Sequence, residues 1–142
     1  MKENIICSGA LFYATGTKRF LFLQRTDKKT QGTWGLVGGQ AHLTESAFEG
    51  LKREIKEEVG DTPVFKKVIP LELFTSNDQK FFFHTYLIAV DNEFLPKLNS
   101  EHNGYCWCAF ECWPKNIHNG LRNTLNNKSI KGKLQTILDL IV

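Results

Sequence analysis

The chain has 142 residues, 42% of them hydrophobic and 23% charged, with a formal net charge of +3. That length and apolar fraction exclude disorder and predict a single domain over residues 1–142. The charge is mild for a protein that grips nucleic acid along a basic track, and no apolar run is long enough to span a membrane.

In chain order, Ile5 to Tyr13 and Arg19 to Arg25 are short runs of strand formers, joined by a turn through Ala14-Thr15-Gly16-Thr17-Lys18. The opening run from Met1 is broken by Ser8 and Gly9, so it reads as a strand rather than an export signal, and a cytoplasmic location is expected. Asp27 to Trp34 is polar and reads as a loop. Gly35 to Gly39 reads as a short extended piece ending in a glycine pair. From Thr44 the period changes: Phe48, Leu51, Ile55 and Val59 recur at three and four residues, the apolar stripe of a helix. Thr44 or Ser46 caps its start and Gly60 stops it. Val64–Phe74 and Lys80–Val90 are predicted strands about a turn at Ser76–Gln79, and the triplet Phe81-Phe82-Phe83 places the second of them inside a sheet. A further strand is expected near Tyr105–Phe110. Asn116 to Asn127 reads mostly as turn with room for a short helix, and Ser129 to Leu140 as a helix carrying Leu134, Ile137 and Leu138. Several strands with two or three helices predict an α/β fold, with a mixed, mostly antiparallel sheet sandwiched between helices.

Four cysteines occur, Cys7, Cys106, Cys108 and Cys112. A core of this size does not need disulfides, and the His102, Cys106, Cys108, Cys112 spacing misses the paired knuckles of structural zinc. Reduced, packed thiols are expected, with Cys106 and Cys108 on the same side of their strand.

The chemistry concentrates on the central helix. At about 100° per residue, Glu58 lies about 40° to one side of Glu54 and Glu57 about 60° to the other, so three carboxylates share a face apart from the apolar stripe. Like charges in the later half of a helix are unfavourable both mutually and against its dipole. Two readings account for them: a solvated face neutralised by Lys52, Arg53 and Lys56, or ligands for a hard divalent cation. The adjacent Gly38-Gly39 pair, whose backbone can approach a ligand closely, favours the cation.

The segment Gly39-QAHLT-Glu45-SAFEGLK-Arg53-Glu54-Ile55-Lys56-Glu57-Glu58-Val59-Gly60-Asp61 resembles the signature of the Nudix hydrolases, G-x5-E-x7-R-E-U-x-E-E-x-G-U with U apolar. Only Asp61 departs from it, at a packing position. The resemblance implies a metal-dependent hydrolase that splits a phosphoanhydride bond with Mg²⁺, for which Mn²⁺ can substitute. It implies Glu57 and Glu58 as core metal ligands, the Gly39 carbonyl as another, and Glu54 as a ligand or the base that takes the water's proton. Arg53 would orient the carboxylates and Glu45 would hold the loop against the helix. By the same resemblance Glu101, just before a late strand, is a further candidate ligand or base, with a solvated loop carboxylate as the competing reading.

The expected substrate is a small nucleotide, such as a nucleoside triphosphate or a nucleotide sugar or coenzyme. Alternatives are an RNA 5′ end, suggested by Lys128, Lys131 and Lys133, and a noncatalytic nucleotide-binding module. The proline and tyrosine that mark ADP-ribose and dinucleoside polyphosphate enzymes in this family are absent from Thr75–Gln79. Trp34, Phe22, Tyr86, Tyr105 and Trp107 are candidates for base stacking, and Arg25 and Lys18 for phosphate contact. No membrane partner is expected, and the assembly is expected to be a monomer or homodimer.

Overall fold

The computed structural model describes residues 4–141; residues 1–3 of the opening run and residue 142 lie outside the described residues. Its elements are β1 (Ile5–Ala14), β2 (Arg19–Arg25), β3 (Trp34–Gly35), β4 (Val37–Gln40), α1 (Ala47–Val59), β5 (Lys67–Thr75), β6 (Phe81–Val90), β7 (His102–Ala109), α2 (Asn119–Asn126) and α3 (Lys128–Leu140). β1 is the hub of a seven-stranded mixed sheet. It runs parallel to β6, from Ile5 opposite Phe81 to Ala14 opposite Val90, while β4 and β2 pair antiparallel with its first and last parts. β5 lies outside β6 and β7 outside β2, both antiparallel.

Alternation along the strands sorts side chains to two faces. Ala10, Phe12, Ala14, Leu21, Leu23, Ile88 and Val90 pack with Leu51, Ile55 and Val59 of α1. Leu11, Tyr13, Phe20, Phe22, Leu87 and Ala89 pack with Leu121, Leu125 and Leu134 of α2 and α3. Because helices cover both faces, the sequence of β1 is nearly continuously apolar where a one-sided strand would alternate with polar residues. Each fully buried Leu or Phe here contributes about 1.5–3 kcal/mol.

Local chemistry sets the ends of α1. Ser46, rather than Thr44, is the cap: its hydroxyl accepts from the Glu49 N–H at 3.1 Å, and the Glu49 carboxylate accepts from the Ser46 N–H at 2.8 Å. Gly60 ends the helix at φ +78°, where its N–H still reaches the Lys56 carbonyl.

Several boundaries differ from the sequence reading. The glycine-rich piece divides into β3 and β4 at Leu36, because β3 follows β2 while β4 follows β1. β5 begins at Lys67 and leaves Val64 exposed, and β7 begins three residues early, at His102. The region predicted to be mostly turn forms α2 over Asn119–Asn126, stabilised by burying Leu121 and Leu125 one turn apart. Asn127 ends α2 and caps α3, its side chain accepting from the Ile130 N–H. β6 is interior to the sheet as expected, yet Phe81, Phe82 and Phe83 are only half-buried. The four cysteines are free, and the Cys106 and Cys108 sulfurs lie 3.5 Å apart on one side of β7.

Candidate active site

The site forms where α1 passes β4. Gly38 crosses β1 so closely that a Cβ there would collide with the Ser8 carbonyl, and one on Gly39 would lie 2.6 Å from the Glu54 carboxyl carbon. Glycine at both positions therefore brings bare backbone directly against the acid face of the helix. The Ser8 hydroxyl donates to the Ala47 carbonyl, which fastens the start of α1 to β1.

Glu54, Glu58 and Glu101 each bring a carboxylate oxygen within 4.8 Å of the others. Glu58 is 4% exposed and, among the described residues, accepts a single hydrogen bond, from the Gly38 N–H at 2.9 Å. Burial pushes its carboxyl up to about 8; the Gly38 N–H partly offsets this, and the charges of Glu54 and Glu101 add to it. Glu54 is also raised, first by burial and then by Glu57 and Glu101, with Arg53 pulling the other way. Glu101 reaches the trio because its loop is tied to the end of α1. Asn99 donates from its side chain to the Glu57 carbonyl at 2.8 Å and accepts from the Glu101 N–H at 2.9 Å.

Glu57 lies outside this trio. Its side chain is 52% exposed and its carboxylate meets Arg53 Nη1 at 3.3 Å. Helix geometry accounts for the division: Glu54 and Glu58 are about 40° apart, whereas Glu57 lies on the far side of Glu54, nearer Arg53. Arg53 is the hub of that side. Its guanidinium donates two bonds to Glu45, one to Glu54 at 2.9 Å and one to the Gln40 carbonyl at 3.0 Å. Arg53 is raised above its ordinary value by these carboxylates, with Glu45 first. Glu45 is held down to about 2, by Arg53 first and then by the His42 N–H.

A hard divalent cation fits this site. Among the described residues, three carboxylates converge with one N–H donor and no Lys or Arg bonded to Glu58, and the glycine backbone leaves room that a side chain would fill. Glu54, Glu58 and Glu101 are positioned to hold it, with Gly39 beside them and Glu57 one helical step away.

Sequence reasoning missed the supports: Asn99, which places Glu101, and the Gly38 N–H and Gln40 carbonyl, which bind Glu58 and Arg53. Backbone groups carry no residue signature, and Asn99 is a lone loop amide. His102 follows Glu101 at the start of β7; its buried Nδ1 has no hydrogen-bond partner among the described residues, and burial lowers its pKa. Arg25, a candidate phosphate contact, pairs with Asp27 at 3.1 Å, and Lys18 lies in the β1–β2 turn with φ +60°. Of the aromatic candidates, Phe22 is fully buried core, Tyr86 packs on Phe48 of α1, and Trp107 packs on Phe94.

A mixed sheet between helices, with an acidic trio where the central helix meets a glycine loop, defines a hydrolase class, and the NUDIX domain matches residues 6–127. The chain belongs to the Nudix family. It is 26% identical over 110 residues to the nucleoside triphosphatase NudI of Klebsiella pneumoniae (strain 342), covering 70% of this chain and 78% of that one. In fold it is similar to a MutT Nudix hydrolase from Burkholderia pseudomallei, with TM-score 0.71 and 22% identity over 89% of this chain and 99% of that one. It is likewise similar to the Nudix hydrolase RenU of M. smegmatis, with TM-score 0.75 and 14% identity over 100% of this chain and 90% of that one. Among the described residues, no helix is long and apolar enough to cross a membrane.

Proposed function

We propose that the chain is a Mg²⁺-dependent pyrophosphohydrolase that cleaves a phosphoanhydride bond in a small nucleotide, Mn²⁺ being able to replace Mg²⁺. The observation that carries this reading is Glu58, a nearly fully buried carboxyl facing two more carboxylates with one N–H for compensation. Such a group is costly in an empty structural role and sensible beside a cation.

Glu54, Glu57, Glu58, Glu101 and the Gly39 carbonyl are the proposed ligand set, with Glu57 its exposed member. Bound there, the ion supplies charge neutralisation for the diphosphate and lowers the pKa of a coordinated water. Glu54 takes the proton from the attacking water. Arg53 holds one of its oxygens at 2.9 Å and leaves the second for the water. Glu101, on its Asn99-pinned loop, is the alternative base. Glu58 is held in place by Gly38, and Arg53 and Glu45 lock the loop to the helix so that the acids keep their spacing.

The likeness to a nucleoside triphosphatase supports a small nucleotide as substrate. The C-terminal lysines support it too, since two of the three are engaged within the fold. Lys131 pairs with Glu111 at 2.9 Å, and Lys133 donates to the Pro70 and Leu71 carbonyls. The test is chromatographic product release from nucleoside triphosphates, ADP-ribose, NADH, diadenosine polyphosphates and 5′-triphosphorylated RNA, with Mg²⁺, with chelator and with Glu58→Gln. Cleavage of a small nucleotide that disappears in both controls is expected. Cleavage confined to RNA, or surviving the chelator, would overturn the reading.

A further inference from the structure

A pair of thiols on β7 offers chemistry that the proposed hydrolysis does not use. Cys106 and Cys108 alternate with Tyr105 and Trp107 along the strand, so both sulfurs share the face turned toward α2 and α3. The sulfurs lie 3.5 Å apart, in contact, and each residue is half-buried. Their surroundings are apolar. The register partners on β2 are Phe22 and Phe20, both fully buried, and Phe110 and Trp113 belong to the same cluster. Among the described residues the only hydrogen bond of either thiol is the one they share. Among the same residues β7 pairs with β2 alone, which leaves the thiols on an outermost strand with part of their surface open.

Geometry narrows what such a pair can hold. Residues two apart on an extended strand have Cα atoms ~6.7 Å apart, at the outer limit for a disulfide, so a bridge through one further atom suits them better. A tetrahedral zinc ion holds its sulfurs ~3.8 Å apart and needs more than two protein ligands. The only cluster of three or more candidate ligands among the described residues is the acid trio. Two-coordinate Cu(I) sets its sulfurs on opposite sides of the ion, farther apart again, and leaves a net negative charge among apolar side chains.

Protonation narrows it further. Burial first, and then Cys108, push the Cys106 thiol up to about 12, so it keeps its proton at neutral pH. A metal ion must displace that proton to bind. A ligand that condenses with neutral thiols and yields an uncharged product has no such barrier, and the apolar setting favours it.

We propose that Cys106 and Cys108 form a chelating dithiol site for trivalent arsenic, taken up as arsenous acid or a monosubstituted arsonous acid. Pyramidal arsenic holds two sulfurs on one side, near a right angle, which keeps them close to contact. The acid is uncharged at neutral pH. At each thiol an S–H and an As–OH bond break, an As–S bond forms, and the proton leaves with the hydroxyl as water. Two such exchanges close the ring with loss of two waters. Arsenic stays trivalent, no electron is transferred and no free proton is released. Cys112, exposed in the turn after β7, and Cys7, on β1, lie outside the chelate.

The experiment adds phenylarsine oxide to the full chain and follows the adduct by native mass spectrometry. One phenylarsenic per chain is expected, with two hydrogens lost, and fragmentation of the adduct should place it between Cys106 and Cys108. The adduct should survive excess glutathione, a monothiol, and be stripped by 2,3-dimercaptopropanol, a dithiol. Cys106→Ser and Cys108→Ser should each weaken binding by roughly a hundredfold or more, the loss expected when a chelate becomes a single attachment. Cys7→Ser and Cys112→Ser should leave it unchanged. Affinity should be level between pH 6.5 and 8, since no free proton is released. Arsenic found on Cys7 or Cys112, an equal loss in Cys112→Ser, or release by glutathione would overturn the site. So would affinity that climbs steeply with pH. Fragmentation of the unaltered protein's adduct decides the matter even where a serine variant folds poorly. Turnover is not among the readouts, so failure here leaves the proposed hydrolysis standing.

Discussion

Two sides of α1 carry the same kind of side chain in opposite electrostatic states. On one side Glu45 and Glu57 surround Arg53, and every charge has a counter-charge within 3.3 Å. On the other, Glu54, Glu58 and Glu101 converge, and Glu58 has one backbone N–H for company. Glu45 is accordingly held down to about 2 while Glu58 is pushed up to about 8. The saturated side is a brace that holds geometry, and under the proposed function the unsaturated side receives positive charge. Residue type does not separate them; burial and the reach of one guanidinium do.

The sharpest way to break this contrast is Glu58→Gln. It keeps the shape and removes the charge that a cation needs, so turnover should fall by about three orders of magnitude with little change in fold. Steady-state kinetics with Mg²⁺ checks this, and a loss below about tenfold would make Glu58 a structural residue.

Next in size is the pH dependence of the metal-free protein. Between its ordinary 4.5 and about 8, Glu58 binds a proton in the fold that it has lost in the unfolded chain. The folded state then holds more protons, so stability from this group is complete below 4.5 and drains away as pH rises through 8. Denaturant melts in chelator should lose a few kcal/mol across that window. The slope should flatten in Glu58→Gln, and divalent cation should restore stability at the upper end. A flat profile in the unaltered chain would remove the claim that Glu58 is uncompensated.

Arg53→Lys tests the braced side. A lysine retains the charge and loses the fork that grips Glu45, Glu54 and the Gln40 carbonyl together, so about 1–3 kcal/mol of stability should go, with activity reduced through displaced acids. Activity falling with no change in unfolding midpoint would place Arg53 on the substrate rather than in the brace. Smallest is Ser46→Ala, which removes the capping hydroxyl for about 1 kcal/mol. It should leave Mg²⁺ affinity unaltered, because the cap lies two turns from Glu54; weakened Mg²⁺ binding would show that the two ends of α1 are coupled.

Much of this was legible in the residues. The stripe Phe48, Leu51, Ile55, Val59 marks a helix because a period of 3.6 is local, and the run of acids beside it is readable from the same angles. Strand order within the hub was not legible. Pairing of β1 with β6 rather than with more of β2 is a long-range choice made by which faces bury together. α2 was hidden for a related reason: Asn and Gly dominate its start, and only burial of Leu121 and Leu125 against the sheet makes it a helix.

The sequence by itself determined the family signature, the helix that carries the acids and the sandwich that supports it, since short-range periodicity and fixed spacing record these directly. Tertiary structure alone decided which acids meet. Glu57, adjacent to Glu58 in the chain, turns to Arg53, while Glu101, more than forty residues away, joins the trio because Asn99 pins its loop to the end of α1. It also decided that the Phe81–Phe83 triplet, interior to the sheet, stays half-open at the end where α2 and α3 do not reach. The physical reason is the same in both cases: charge and exposure depend on what the folded chain places nearby, and that is not written in any residue's immediate neighbours.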